Sequence, residues 1–264
     1  MRNVLVRYFL LHFNPGRVNS VLAHTNLFFV VGMGRSGTVF LSRLLSRASR
    51  CSVYHETIRD RNALVDAYWY PDRAEGYLAG YRARLIAARI LQDQSQVYGE
   101  VNSYLRFHVE ALRALWNPRI LHLVRDGRAV VRSLMNRVAF ASADLDHTGR
   151  LGPRPDDPYA NEWPQMNRFS RVCWYWAATN RSLTEHHLPI VRLEDIIGSY
   201  EAFDEQFLRP LGIHLAPGIW REQILKPQNV GKTSTFPAWE DWTDEQKCQF
   251  EAICGPVMSD LGYV

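Results

Sequence analysis

The chain reads Gly32-Met-Gly-Arg-Ser-Gly-Thr38 between an apolar run and a helical pattern. Glycines at this spacing let the backbone fold tightly enough for successive N–H groups to converge on one oxyanion, and a helix N-terminus behind them adds about half a positive charge. Such a loop is a cradle for a phosphate or sulfate group. Its spacing is nearly that of a Walker A loop, but the lysine expected after Gly37 is missing and a cation stands earlier, at Arg35. That departure argues against an ordinary ATPase or GTPase. A glycine turn that merely joined strand to helix would leave Arg35, Ser36 and Thr38 without a task. A second constellation is Leu123-Val-Arg-Asp-Gly-Arg-Ala-Val-Val-Arg-Ser133. Here Arg125 falls where a strand's carboxyl end meets the crevice of an open parallel sheet, and Ser133 brings a hydroxyl from the following helix, a pair suited to a second phosphate. Taken alone, an Arg-Asp turn before an amphipathic helix with solvated arginines reads the same way.

The elements that must position these groups are legible as an alternation. Leu27 to Val31 is apolar, aromatic and β-branched and stops at Gly32, the pattern of a strand buried on both faces. After the loop, Leu41, Leu44, Leu45 and Ala48 recur at i, i+3, i+4 and i+7, one face of a helix. Further strands are expected at Cys51–Tyr54, from Val97 to Gly99, at Ile120–Val124 and from Pro189 to Leu193. Helices are expected from Arg61 to Leu91, with Leu85 and Ala88 inward, from Arg128 to Arg137, and from Thr243 to Met258. Strands separated by helices imply right-handed crossovers and a mainly parallel sheet. From Phe140 to Arg168 the chain carries Gly149, Gly152 and four prolines among acids, a long loop of the kind that serves as a lid or substrate-binding segment.

Composition narrows the classes. The 264 residues are 47% apolar and 22% charged, which excludes disorder and a small disulfide scaffold. Lys226, Lys232 and Lys247 are the only lysines, so the net charge of +4 is carried by arginine. So small a surplus falls short of the basic stripe that nucleic-acid binding needs, whereas a locally basic pocket for a small anion stays open. The four cysteines have no C-x-x-C spacing, which argues against zinc and against a disulfide framework. No stretch reads as a transmembrane segment, and a cytoplasmic protein in a reducing compartment is expected.

Together the two motifs resemble those of the sulfotransferases that use 3′-phosphoadenosine 5′-phosphosulfate (PAPS). In that family a G-x-x-R/K-S-G-T loop holds the 5′-phosphosulfate, and an arginine followed eight residues later by a serine holds the 3′-phosphate, the separation of Arg125 and Ser133. Ile190-Val-Arg-Leu-Glu-Asp195 is similar to the family's hydrophobic strand ending in Glu-Asp, and the likeness spans most of residues 27 to 262. It implies a P-loop-containing α/β three-layer sandwich with a mainly parallel central sheet, organised as one domain over residues 1–264. Residues 27–60 would bind the phosphosulfate and supply the base, residues 120–137 would bind the 3′-phosphate, and residues 140–168 would form the lid or acceptor loop.

The resemblance also implies roles. Donor-binding residues would be Gly34, Arg35, Ser36, Gly37, Thr38 and Val39, with Arg125 and Ser133 on the second phosphate. Phe40 stands where cytosolic members carry an adenine-stacking tryptophan, although packing on Leu44 one turn on accounts for it equally. Gly231-Lys232 resembles the late basic element that closes over the 3′-phosphate. In the branch that includes tyrosylprotein, carbohydrate and many bacterial sulfotransferases a glutamate follows the second short strand, which makes Glu56 the first candidate for the base, with His55 and Glu100 as alternatives and Arg35 stabilising the transferring sulfonate. Leu193 and Val101 depart from the family, so the adenine-contacting tyrosine and the catalytic lysine of relatives cannot be carried over. PAPS would be the sulfonate donor, no metal is called for, and the acceptor would bear a hydroxyl on a sugar, phenol, lipid headgroup or peptide tyrosine. Its choice would rest on the variable stretches Arg59 to Gln96 and Phe140 to Arg168. A small-molecule kinase with a degenerate P-loop and a non-catalytic nucleotide-binding protein are the rival readings.

Overall fold

A computed structural model describes residues 14–140, 147–226 and 235–263. The longer elements, in chain order, are α1 (Pro15–Ala23), β1 (Asn26–Gly32), α2 (Thr38–Leu45), β2 (Cys51–Tyr54), α3 (Asp60–Trp69), α4 (Ala83–Asp93), β3 (Val97–Val101), α5 (Val109–Trp116), β4 (Arg119–Val124), α6 (Gly127–Met135), α7 (Arg168–Thr184), β5 (Ile190–Arg192), α8 (Pro217–Ile224) and α9 (Asp244–Asp260). The five strands form one sheet in the order β2-β3-β1-β4-β5, and every pairing is parallel. Helices cover both faces, giving an α/β three-layer sandwich whose parallel sheet the alternation of elements implies.

β1 lies at the centre, and its side chains alternate between the two layers as a strand's must. Phe29 and Val31 pack with Leu22 of α1, Ile86 of α4 and Leu112 of α5. Phe28 and Val30 pack on the opposite face with Leu41, Leu44 and Leu45 of α2 and with Phe203 and Phe207. A third apolar cluster joins α6, α7 and α9 through Val131, Trp176 and Phe250. Local chemistry fixes the helix starts: the Asp126 carboxylate accepts from the Arg128 N–H at 2.8 Å to open α6. Thr243 and Gln246 exchange hydrogen bonds of 3.0 and 3.2 Å in a capping box that opens α9.

Three expectations need correction. The helix expected from Arg61 to Leu91 is broken: α3 ends at Trp69, and Tyr70 leaves helical geometry at φ −135° because Pro71 restricts the residue before it. The chain resumes at Arg73 and passes through a wide turn at Leu78–Arg82 before α4. The strand expected over Pro189 to Leu193 shortens to Ile190–Arg192, Leu193 opening a short helix instead. β3 runs on to Val101 rather than stopping near Gly99. Of the long loop from Phe140 to Arg168, residues 141–146 lie outside the described residues, and the remainder carries one short helical turn, His147–Arg150. Among the described residues no helix is long and apolar enough to cross a membrane.

Two buried histidines tie stability to pH. His122 on β4 meets the Asn180 side chain at 3.1 Å, and His108 lies beside Tyr77 with 5.7 Å between ring centroids. Burial pushes both imidazoles down from 6.5 to about 4. Folded, they stay neutral, while the unfolded chain protonates them below pH 6.5, so stability is full above that pH and falls as pH drops toward about 4, by up to about 3 kcal/mol for each histidine. Urea unfolding midpoints measured from pH 7.5 to 5, where ordinary carboxylates stay ionised, should decline across this window, with a shallower slope in His122→Gln; a flat profile would contradict the neutral burial.

Candidate active site

Because all strands are parallel, the carboxyl ends of β2, β3, β1 and β4 lie along one edge of the sheet in that order. The turn after β1 holds the glycine loop, the turn after β2 holds His55 and Glu56, the turn after β3 holds Asn102 and Ser103, and Arg125 follows β4. β1 and β4 approach so closely at this edge that a side-chain carbon on Gly32 would stand 2.2 Å from the Leu123 carbonyl oxygen. The loop then turns back through a 3.3 Å hydrogen bond from the Ser36 N–H to the Met33 carbonyl. Its last residue, Gly37, has φ +91°, and a side chain there would collide with Leu193, so only glycine fits. Leu193, which departs from the family pattern in sequence, thus braces the loop. α2 begins directly at Thr38, with no acidic residue in its first turn, so its positive end is left uncompensated for an anion. Ser36 and Thr38 are buried, and Gly34 and Val39 are half-buried.

Cations gather beside this loop. Arg125 donates to the Arg35 carbonyl at 3.0 Å, and Arg35 donates from Nε to Ser133 Oγ at 2.9 Å. The Arg35 guanidinium is held below its ordinary value, first by burial and then by repulsion from Arg137 and Arg125. Among the described residues none of these three guanidiniums pairs with a carboxylate. Asp126, adjacent to Arg125 in sequence, turns its carboxylate to the α6 N-terminus and to Arg128, 2.6 Å away. Glu194 accepts the Asp126 N–H at 3.1 Å and the Tyr263 hydroxyl at 2.8 Å, so the Glu-Asp end of β5 fixes the turn that carries Arg125. Arg137 was not singled out from the sequence. It lies just past the end of α6, in the turn that follows Met135.

The candidate bases separate clearly. Glu56 Oε1 accepts the Ser103 N–H at 3.3 Å and also the Ser103 hydroxyl. His55 lies between Glu56 and the loop, its Nδ1 3.9 Å from Glu56 Oε2 and its Nε2 3.2 Å from Thr38 Oγ1. Tyr104, the next residue after Ser103, has its hydroxyl pushed up by burial and by the Glu56 charge, with Arg61 opposing the shift. Glu100 is elsewhere: it is fully buried on β3, ion-paired to Arg82 and bonded by the Tyr98 hydroxyl at 2.6 Å and Asn102 Nδ2 at 2.9 Å. Phe40 packs half-buried on the cluster that contains Leu44. Lys232 lies outside the described residues.

Three guanidiniums with no carboxylate partner among the described residues, beside an unblocked helix start, should bind a divalent oxyanion. Millimolar sulfate is expected to raise the thermal midpoint of the wild type, and the rise should shrink in Arg125→Ala and in Arg137→Ala; an equal rise in all three proteins would place the anion elsewhere.

Comparison with known proteins agrees with this geometry. The model of the sulfotransferase family matches residues 28–217. Among solved structures, the chain is similar to the sulfotransferase domain from the curacin biosynthetic pathway, with TM-score 0.52 and 13% identity over 88% of this chain and 97% of that one. It is also similar to the sulfotransferase STF1 from Mycobacterium tuberculosis H37Rv, with TM-score 0.49 and 14% identity over 94% of this chain and 81% of that one. No curated protein gives a significant match. A family match that takes in the glycine loop, Glu56, Arg125 and Ser133, on a fold shared with a sulfotransferase domain, means that this chain belongs to the sulfotransferase family.

Proposed function

We propose that the protein transfers the sulfonate group of PAPS to a hydroxyl of an organic acceptor, with Glu56 as the base. The observation that carries this reading is the gathering of Arg125 and Arg137 about Arg35 of the glycine loop, with no carboxylate paired to any of the three among the described residues. Like charges held together cost free energy, and a ligand with two separated anionic groups removes that cost. Arg35, Ser36, Gly37 and Thr38 would hold the phosphosulfate, and Arg125, Ser133 and Arg137 the 3′-phosphate.

In the transfer, the acceptor oxygen forms a bond to sulfur as the bond from sulfur to the phosphate oxygen breaks. The acceptor proton passes to Glu56, and the negative charge growing on the departing phosphate is met by Arg35 and the loop N–H groups. Donors fixed in place before reaction need no reorganisation as charge develops, which is the source of their rate advantage. An attack in line with the leaving oxygen fits the placement of Glu56 across the loop from Arg125, at the far end of the strand order β2-β3-β1-β4. His55, bonded to Thr38, would anchor the β2 turn to the loop, and Glu100, saturated by its buried partners, would serve the scaffold. The acceptor would enter beside Glu56, near Tyr104, whose ring meets His147 edge-on with 5.3 Å between centroids.

Two measurements test the reading. Adenosine 3′,5′-bisphosphate at about 100 times its Kd should raise the thermal midpoint by several degrees, more than ATP with Mg²⁺ does, and Arg125→Ala should abolish the rise; equal or greater stabilisation by ATP with Mg²⁺ would favour a kinase. Glu56→Gln should keep the bisphosphate response and lose about 10²- to 10⁴-fold in kcat for PAPS consumption, whereas unchanged turnover would remove Glu56 from the base role.

A further inference from the structure

We infer that Ser103 is the positioning residue for the Glu56 carboxylate, and that a buried carboxylate, Asp60, holds the two in register; this rests on the reading of Glu56 as base. Ser103 is almost fully buried and directs two donors, its backbone N–H and its hydroxyl, at the same Glu56 oxygen, Oε1. With Oε1 occupied, the remaining oxygen, Oε2, faces the His55 side and is the one left to accept a proton from an acceptor hydroxyl.

The contact depends on two turns that are distant in sequence. β2 and β3 pair with Tyr54 level with Glu100, so the turn carrying Glu56 and the turn carrying Ser103 leave the sheet side by side. Asp60 joins them. Its Oδ2 accepts the Thr57 N–H at 2.9 Å, from the residue after Glu56, and Asn102 Nδ2 at 2.9 Å, from the residue before Ser103. Its Oδ1 accepts the Tyr77 hydroxyl at 2.6 Å and lies 3.5 Å from Arg82 Nε. Asn102 in turn accepts the Tyr104 N–H at 3.0 Å, which leaves the Ser103 N–H free to point at Glu56. Both Asp60 oxygens are occupied in this staple, and the outcome is a Glu56 carboxylate held by Ser103 at the mouth of the loop.

The test compares wild type, Ser103→Ala, Ser103→Thr and Glu56→Gln, each labelled with carboxyl-¹³C glutamate and compared at one fixed pH, the missing signal in Glu56→Gln assigning Glu56. A hydrogen bond to a carboxylate oxygen changes the shielding of its carbon, so Ser103→Ala should displace the Glu56 carboxyl resonance from its wild-type position. It should also lower kcat for PAPS consumption about tenfold, with a phenol, a sugar and a tyrosine peptide offered together as acceptors. Stabilisation by adenosine 3′,5′-bisphosphate should stay at the wild-type level, showing the fold intact, and Ser103→Thr should restore both resonance position and kcat. A wild-type resonance and kcat in Ser103→Ala, or a folded Ser103→Thr that restores neither, would overturn the role of Ser103. Full turnover in Glu56→Gln alongside a displaced resonance in Ser103→Ala would instead overturn the base reading and leave the contact standing.

Discussion

Parallel pairing is the constraint from which the rest of the molecule follows. A strand that pairs in parallel with its neighbour must be returned by a crossover, so every strand of this sheet delivers its carboxyl end to the same edge. The order β2-β3-β1-β4 then arranges one row of turns. It runs from a carboxylate at Glu56, through a hydroxyl at Ser103 and the glycine loop from Gly32 to Thr38, to a guanidinium at Arg125. The sheet ladders set the spacing of these turns, and side-chain contacts from Ser103, Asp60 and Glu194 hold the groups they carry.

Electrostatics divides this row into two regimes. Arg82, fully buried, lies against Glu100 and Asp60, and these carboxylates hold its guanidinium above its ordinary value despite burial. Arg35, only partly buried, has arginines as its charged neighbours and is held below its ordinary value. The same residue type thus serves as an ion-paired strut at Arg82 and, 47 positions earlier in the chain, as a guanidinium with no carboxylate partner among the described residues at Arg35. The difference is whether the fold supplies a carboxylate. Asp126 makes the point most directly, since its carboxylate is spent on a helix cap and on Arg128 and is withheld from Arg125.

Local patterns in the sequence carried the strands, the loop and the spacing of Arg125 and Ser133, because each rests on residues close together in the chain. The apolar run located β1 within a residue at each end, and the spacing of Leu41, Leu44 and Leu45 marked α2, which ends before Ala48. What it could not carry were relations across the sheet. Glu56 and Glu100 look alike as acids at strand ends; only the adjacency of β2 to β3 shows that one faces Ser103 and the other Arg82. Arg137 reads as one more arginine on a solvated helix until Arg35 is placed against it. Pro71 did mark the break after α3, and the apolar period on either side of it masked that signal. Leu193, a mismatch in sequence, has a packing role against Gly37 that no spacing announces.

The hydrogen bond from Tyr263 to Glu194, which also receives the Asp126 N–H, has a consequence for how the protein is made. Synthesis delivers about 5–20 residues each second, so Arg35 and Arg125 leave the ribosome well before α9 and Tyr263 exist to fix the turn between them. During that interval the turn after β4 lacks the strut that orients Arg125. The turn that carries Arg125 therefore gains this support only once α9 and Tyr263 have been made, far along the chain from the glycine loop.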